Sequence, residues 1–412
     1  MKNNKKKLEL LAPAGNLLKM KTALNFGADA VYAGIPDFSL RVRINDFNLE
    51  TIKEATEYCH KNNKKIYITI NIFAHNKHLK KLKTYIEFLK KIKIDALIIS
   101  DPGIISLVKE VWPKAEIHLS TQANCTNSAA ARFWHKAGVK RIILGREVSL
   151  AEIKEIHKEN PKLELEYFVH GAMCMAYSGR CFLSKYYLNR SANLGDCVQP
   201  CRWKYNSREI KAENHKEDVL ELVEEEHGSY ILNSKDLCLI KYLKDLAEAG
   251  ITSFKIEGRA KSTYYQGVVA GIYSQVLNNL DKITSKDLNY YSDELNKKLV
   301  HRGYTSGFLL GERADQNLDN SHEISDWEFC GQVIKNIDKN KILVKVHNSI
   351  KLGDQLEIVY PKYDIIKMKI TKILDGDTEE KIKEAHGGQD KSIILEVDKK
   401  VGPYSLLRRI KK

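Results

Sequence analysis

Four of the chain's eight cysteines crowd into HGAMCMAYSGRCFLSKYYLNRSANLGDCVQPCRWKY (170–205), spaced Cys174-x6-Cys181-x15-Cys197-x3-Cys201, and a fifth, Cys238, follows in NSKDLC. Thiolates are soft ligands, so several aimed at one centre suit zinc or an iron–sulfur cluster. A structural zinc site usually carries tight pairs such as C-x2-C. The looser spacing here suits a metal or cluster bridged by a folded segment, with more candidate sulfurs than ligand positions. Gly171, Gly179 and Gly195 beside the thiols point to tight turns that can converge the sulfurs. Cys59, Cys125 and Cys330 stand apart from this group and read as ordinary buried side chains.

A second set of polar residues falls at the ends of apolar β runs: Asn71, Asp101, Gln122, Arg146, Glu147, His170, Lys255, Glu257 and Arg259, with Arg41 and Arg43 in the loop after AVYAG. Burying so many polar groups without partners is costly, so they form either a hydrogen-bonded structural layer or a site. Arginine forks suit a carboxylate or a phosphate. His170 can act as acid or base near neutral pH, and so can Glu166 or Glu257 if the environment raises its pKa. In E-L-E-Y-F-V-H, two-residue alternation places Glu166, Phe168 and His170 on one face, where Glu166 can also orient His170. The chain shows no Ser–His–Asp elbow, no HExxH and no nucleotide-binding glycine loop, which argues against common hydrolase and kinase mechanisms.

These residues need a scaffold that points strand ends toward one place. Residues 8 to 280 alternate short β runs with amphipathic helices: LELLA, AVYAG, KIYITIN, DALIIS, EIHLSTQ, KRIILGRE, ELEYFVHG and TSFKIEG, with helices expected near 16–26, 49–62, 78–92, 103–111, 126–136, 149–158 and 262–278. Eight such units predict a (β/α)8 TIM-like barrel of α/β class, with a doubly wound open sheet as the alternative. The clustered cysteines fall in a long insertion between strands seven and eight, which also holds a predicted helix near 236–248. The expected organisation is a barrel over 1–285 with its insertion at 171–235, a helical linker over 286–324, and a small β-barrel over 325–412.

Lys and Arg number 67 against 53 Asp and Glu, a net charge of +14. That fits either a solvated lysine-rich surface or a polyanion partner such as RNA. No apolar run reaches membrane-spanning length, and MKNNKKKLELLAPAG does not read as a signal peptide. The expected setting is the cytoplasm, with no membrane partner, where structural disulfides are a poor explanation for the cysteines.

Taken together, ELEYFVHGAMCMAYSGRCFLS resembles the signature of the U32 family, historically labelled peptidases or collagenases. The resemblance continues through GDCVQPCRWKY, NSKDLC and FKIEGRAKSTYY, and begins at LLAPAG. It implies a TIM barrel holding a [4Fe-4S] cluster through Cys174, Cys181, Cys197 and Cys238, with Cys201 as the reserve ligand. Branches of the family serve oxygen-independent hydroxylation of a tRNA wobble uridine, of a ribosomal cytidine, or of the ubiquinone ring. Length and the C-terminal module look most like the tRNA branch. That branch implies C5 hydroxylation of uridine 34, a link to prephenate as co-substrate or ligand, and the tRNA anticodon stem-loop as partner. It also allows a second U32 subunit. His170, Glu166 and Glu257 would then handle protons, while Arg41, Arg43, Asn71, Gln122, Arg146, Lys255 and Arg259 would bind substrate. True proteolysis, or a non-catalytic cluster-bearing subunit that docks tRNA, are the competing readings.

Overall fold

The computed structural model describes residues 7–39, 46–173, 183–188, 190, 197–200, 234–311, 315–317, 325–388 and 391–411. Seven strands run in parallel order: β1 (Glu9–Pro13), β2 (Ala30–Gly34), β3 (Lys65–Ile70), β4 (Ala96–Ile99), β5 (Ile117–Leu119), β6 (Arg141–Ile143) and β7 (Glu164–Ala172). A short strand, β8 (Asp236–Cys238), stands outside the ring. The next, β9 (Ile251–Ile256), pairs in parallel with both β7 and β1 and closes an eight-stranded barrel. The doubly wound alternative is therefore excluded.

Helices α1 (Leu17–Asn25), α2 (Leu49–Lys61), α3 (Asn76–Lys91), α4 (Pro102–Val111), α5 (Ser128–Lys136) and α6 (Leu150–Glu159) each follow one strand. Their starts are set locally. Asn16, Asn48, Asp101, Asn127 and Ser149 each accept a hydrogen bond from a backbone N–H in the first turn, satisfying donors that the helix leaves open. Asp101, at the end of an apolar β run, is thus a cap for α4, with Pro102 supplying the first helical residue.

The helix expected over 236–248 begins instead as β8. His170, Gly171 and Ala172 pair antiparallel with Cys238, Leu237 and Asp236, so the end of β7 gains a partner outside the ring. Helix α7 (Leu183–Leu188) precedes this strand, and α8 (Leu243–Glu248) follows it after one 3-10 turn. A further strand, β10 (Tyr304–Thr305), lies parallel to β8.

Helix α9 (Thr263–Asn278) is buried on nearly every side, and its sequence TYYQGVVAGIYSQVLN shows why. A helix apolar all round belongs inside a structure. A Cβ at Gly267 would lie 2.6 Å from Leu406 Cδ1, and one at Gly271 would lie 3.0 Å from the Phe26 ring. The two glycines, one turn apart on α9, let Phe26 at the end of α1 and residues of the C-terminal domain approach closely.

Helix α10 (Ser285–Lys298) leads to that domain. Strands β11 (Trp327–Asn336), β12 (Lys341–Val346), β14 (Gln355–Val359), β15 (Ile365–Lys369), β16 (Ile373–Asp375), β17 (Lys381–Ile382), β19 (Ser392–Glu396) and β20 (Leu406–Ile410) form one sheet. Strands β13 (Ile350–Lys351) and β18 (Glu384–Ala385) form a two-stranded piece. The large sheet runs β15-β14-β20-β11-β12-β19-β16-β17, and among the described residues its edge strands do not pair with each other. The β-rich domain was expected; a closed barrel is not what these strands build. Its core, around Val344, Ile358, Ile393 and Leu407, is separate from that of the barrel.

The two domains are joined through Arg408, which is fully buried. Its guanidinium meets Glu294 of α10 at 2.6 Å and Glu357 of β14 at 2.8 Å, and Tyr264 and Tyr363 hydroxyls lie within 3.3 Å. Burial opposes ionisation of Glu294, but Arg408 and Lys298 hold its carboxyl below the usual carboxylate range.

Candidate active site at the barrel mouth

Inward-facing residues of the strands form two polar levels. At the floor, Arg141 of β6 lies 2.5 Å from Glu9 of β1, 2.9 Å from Glu164 and 3.3 Å from Glu166 of β7. Tyr67 donates to Glu9 at 2.5 Å, and Ser253 Oγ lies 2.8 Å from Glu9 and 3.2 Å from Glu166. Burial pushes the Glu9 carboxyl up, yet the Arg141 guanidinium holds it below its ordinary value. His118 is wholly buried beside this group, with Nε2 at 3.0 Å from Glu116, and burial pushes its imidazole down. Arg141 escaped the sequence reading. Its signal was an arginine opening one strand while glutamates open two others.

Above this level sits Lys255, whose Nζ meets Glu166 Oε1 at 2.7 Å. The ammonium lies 4.5 Å from the centre of the Tyr32 ring and 5.3 Å from that of Phe168. The same two rings carry the other cations of the mouth. Arg146 Cζ is 3.8 Å from the centre of Phe168, and Arg259 Cζ is 5.9 Å from that of Tyr32. Such contacts attract cations to ring faces without neutralising them. Arg259 also donates to the hydroxyls of Ser39 at 2.7 Å and Thr69 at 3.4 Å. Asn71 Nδ2 donates to Gln122 Oε1 at 3.3 Å, and Ser120 Oγ donates to the same oxygen. Lys255, Arg146, Arg259, Asn71, Gln122 and Glu166 thus line one interior, as the strand ends required. Arg41 and Arg43 lie outside the described residues.

His170 is not part of that interior. Between Phe168 and His170 the register against β9 shifts: Phe168 stands opposite Lys255, while His170 stands opposite Ile256. This bulge ends the alternation that was expected to keep Glu166, Phe168 and His170 on one face. Gly171 follows with φ of 107°, and a Cβ there would lie 2.4 Å from Glu257 O. His170 packs instead against Tyr265 and Tyr273 of α9 and Tyr304 of β10, with ring centres 5.4 to 5.8 Å apart. Tyr273 OH donates to Val169 O at 2.9 Å, so its oxygen accepts from His170 Nδ1 at 3.2 Å. Burial, with Lys261 and His301 adding to it, pushes His170 down to about 3. The ring is neutral at physiological pH, and Glu166 does not orient it. Glu257 is half-buried just past β9, its backbone N–H donating to His170 O at 2.8 Å.

Of the clustered cysteines, Cys174, Cys181 and Cys201 lie outside the described residues. Cys238 sits on β8 opposite His170, with Sγ 3.8 Å from Tyr273 OH, and burial pushes its thiol up to about 11. Cys197 is exposed, its sulfur 3.9 Å from Ser184 Oγ. Both are free thiols, the donor type that zinc and iron–sulfur clusters require, so the described part of the donor set fits such a group. Among the described residues, no group of three or more His, Cys, Asp or Glu is placed to hold a metal ion. Cys59, Cys125 and Cys330 are buried, and burial pushes each thiol up to about 12, as inert core cysteines require.

Comparison with known proteins adds to this geometry. The family model described as peptidase family U32 matches residues 15–319, and that of the U32 C-terminal domain matches residues 325–408. The chain is 41% identical to tRNA hydroxylation protein P of Escherichia coli over 401 residues, covering 87% of each. It is 36% identical to tRNA hydroxylation protein P1 of Bacillus subtilis, covering 98% of this chain and 95% of that protein. It is also 31% identical to a protein of Porphyromonas gingivalis named collagenase, covering 98% of each.

Proposed function

The chain belongs to peptidase family U32, and on that premise we propose that it hydroxylates C5 of uridine 34 in tRNA without molecular oxygen. The observation that carries the RNA class is its 41% identity, over most of both chains, to a protein named for tRNA hydroxylation. The barrel mouth supplies what such a reaction needs from the chain itself. Arg259 and Arg146 hold an anion, either the carboxylates of prephenate or a nucleotide phosphate. The Asn71–Gln122 amides offer donors and acceptors to a base edge. Glu166 and Lys255 hold a proton at Oε1 and Nζ, and the Glu257 carboxyl is a further proton site at the rim. A wobble base reaches such an interior more cheaply from an anticodon loop than from a duplex.

Cys174, Cys181, Cys197 and Cys238 would hold a [4Fe-4S] cluster, with Cys201 in reserve. When bound, that group supplies one-electron transfer. The surface lysines of the C-terminal domain, such as Lys335, Lys367, Lys369 and Lys381, are exposed and would meet the RNA backbone. Binding should then weaken with added salt on a steep log–log slope. Among the described residues, no helix is long and apolar enough to cross a membrane.

The test is the iron and sulfide content and absorption spectrum of protein purified without oxygen, beside Cys174→Ala and Cys238→Ala. A broad band near roughly 400 nm, lost in both variants, supports thiolate-held iron–sulfur chemistry. A metal-free or zinc-loaded protein would remove the redox reading. Activity of the purified chain alone distinguishes an enzyme from a subunit that needs a second U32 partner. The collagenase name of one relative favours a peptidase. Protein cleavage that disappears in His170→Ala would establish that reading instead.

A further inference from the structure

Lys255 is an amine in an unusual place. It projects from β9 into the barrel with 3% exposure, between the Tyr32 and Phe168 rings. Arg141 reaches the other oxygen of Glu166 at 3.3 Å, so Lys255 and Arg141 share that carboxylate between the two levels. Burial also pushes the Lys255 ammonium down, toward the neutral form that acts as a nucleophile. Its proton has an acceptor at hand in Glu166 Oε1, 2.7 Å away. Two guanidinium groups approach the same rings, Arg146 on Phe168 and Arg259 on Tyr32. An amine, a carboxylate base and guanidinium forks around one interior match a small molecule with a ketone beside a carboxylate.

We infer that Lys255 Nζ condenses with the ketone of a small 2-oxo acid whose carboxylate is held by Arg259 or Arg146. The ammonium gives one proton to Glu166, and the nitrogen lone pair attacks the carbonyl carbon. The nitrogen then loses a second proton to the former carbonyl oxygen, giving a neutral carbinolamine. Glu166 returns its proton to that hydroxyl, which leaves as water while the nitrogen lone pair forms the C=N bond. The balance is one ammonium and one ketone giving one iminium and one water, with no oxidant or reductant consumed. This assignment rests on the mouth being the reaction site, and it adds to that reading a covalent step on the amine of Lys255.

The experiment is reductive trapping on the full chain. Protein purified without oxygen is incubated with pyruvate or phenylpyruvate and sodium borohydride, then digested and analysed by mass spectrometry. Acetone, a ketone without a carboxylate, serves as the comparison. The expected result is a reduced adduct on the peptide bearing Lys255, about tenfold less with acetone if one anion contact is lost. Lys255→Arg should lack the adduct; the wild-type result stands even if that variant fails to fold. No adduct at Lys255 with either acid, or equal labelling by acetone, would overturn the inference. Hydroxylation of tRNA is measured on the same preparation. Active protein without an adduct removes the Lys255 step alone, whereas a preparation unable to modify tRNA removes the broader reading.

Discussion

The barrel floor and the barrel mouth both collect cations, but they treat the charge differently. At the floor, one guanidinium meets three carboxylates, and a tyrosine and a serine fill remaining acceptor positions. At the mouth, Arg146 lies on an aromatic face and Arg259 donates to two hydroxyls. Hydroxyls and ring faces orient a guanidinium as carboxylates do, but they carry no formal charge of their own. The floor is tied together by carboxylates, whereas hydroxyls and ring faces help position the cations of the mouth. Lys255 stands between the levels, paired to the floor through Glu166 and in contact with the two rings that also meet the mouth arginines.

That contrast can be broken at its strongest point first. Arg141→Met should strip the cation from Glu9, leave Glu166 with Lys255 alone, and cost about 3 to 5 kcal/mol. Thermal or denaturant unfolding reads this directly, and a loss below about 1 kcal/mol would mean the floor is not a structural unit. Arg259→Ala should do the reverse, with hydroxylation falling on the order of 100-fold while the folded protein persists. Equal damage to stability and activity in both variants would erase the distinction.

Acidification sharpens the same contrast. The folded Glu9 carboxyl lies below its unfolded value, so its contribution is full above about pH 4.3 and is lost as pH falls through the folded value. Stability of the wild type should therefore decline below about pH 4.3 more steeply than that of Glu9→Gln. The smallest effect expected is from Phe168→Leu, which removes the ring under Arg146. Loss of the close Arg146 contact, about 0.5 to 1 kcal/mol, with the longer Lys255 contact adding less, should weaken substrate binding about two- to fivefold, read as KM.

Strand–helix alternation made the barrel legible because each β run is short, apolar and followed by a helix with its own cap. The polar strand ends were legible for the same reason: Asn71, Gln122, Arg146, Lys255 and Arg259 follow from strand direction alone. His170 was misplaced because two-residue periodicity has no term for a bulge. Gly171, held at φ of 107° against Glu257 O, was the visible hint. Cys238 was expected near a helix, yet NSKDLC adds a strand to β7, a pairing between distant segments that local patterns do not specify. The floor was missed because Glu9, Tyr67, Arg141, Glu166 and Ser253 come from five strands, and only closure of the ring brings Glu9 to Arg141. In the C-terminal domain, alternation revealed the strands but not whether their sheet would close.

The most direct test is mass spectrometry of tRNA nucleosides from cells lacking this gene, complemented with the wild-type chain or with Arg259→Ala. The account predicts that 5-hydroxyuridine returns at position 34 with the wild type and stays near background with the variant. Wobble uridine left unmodified by a wild-type chain that is folded and carries its iron would contradict it.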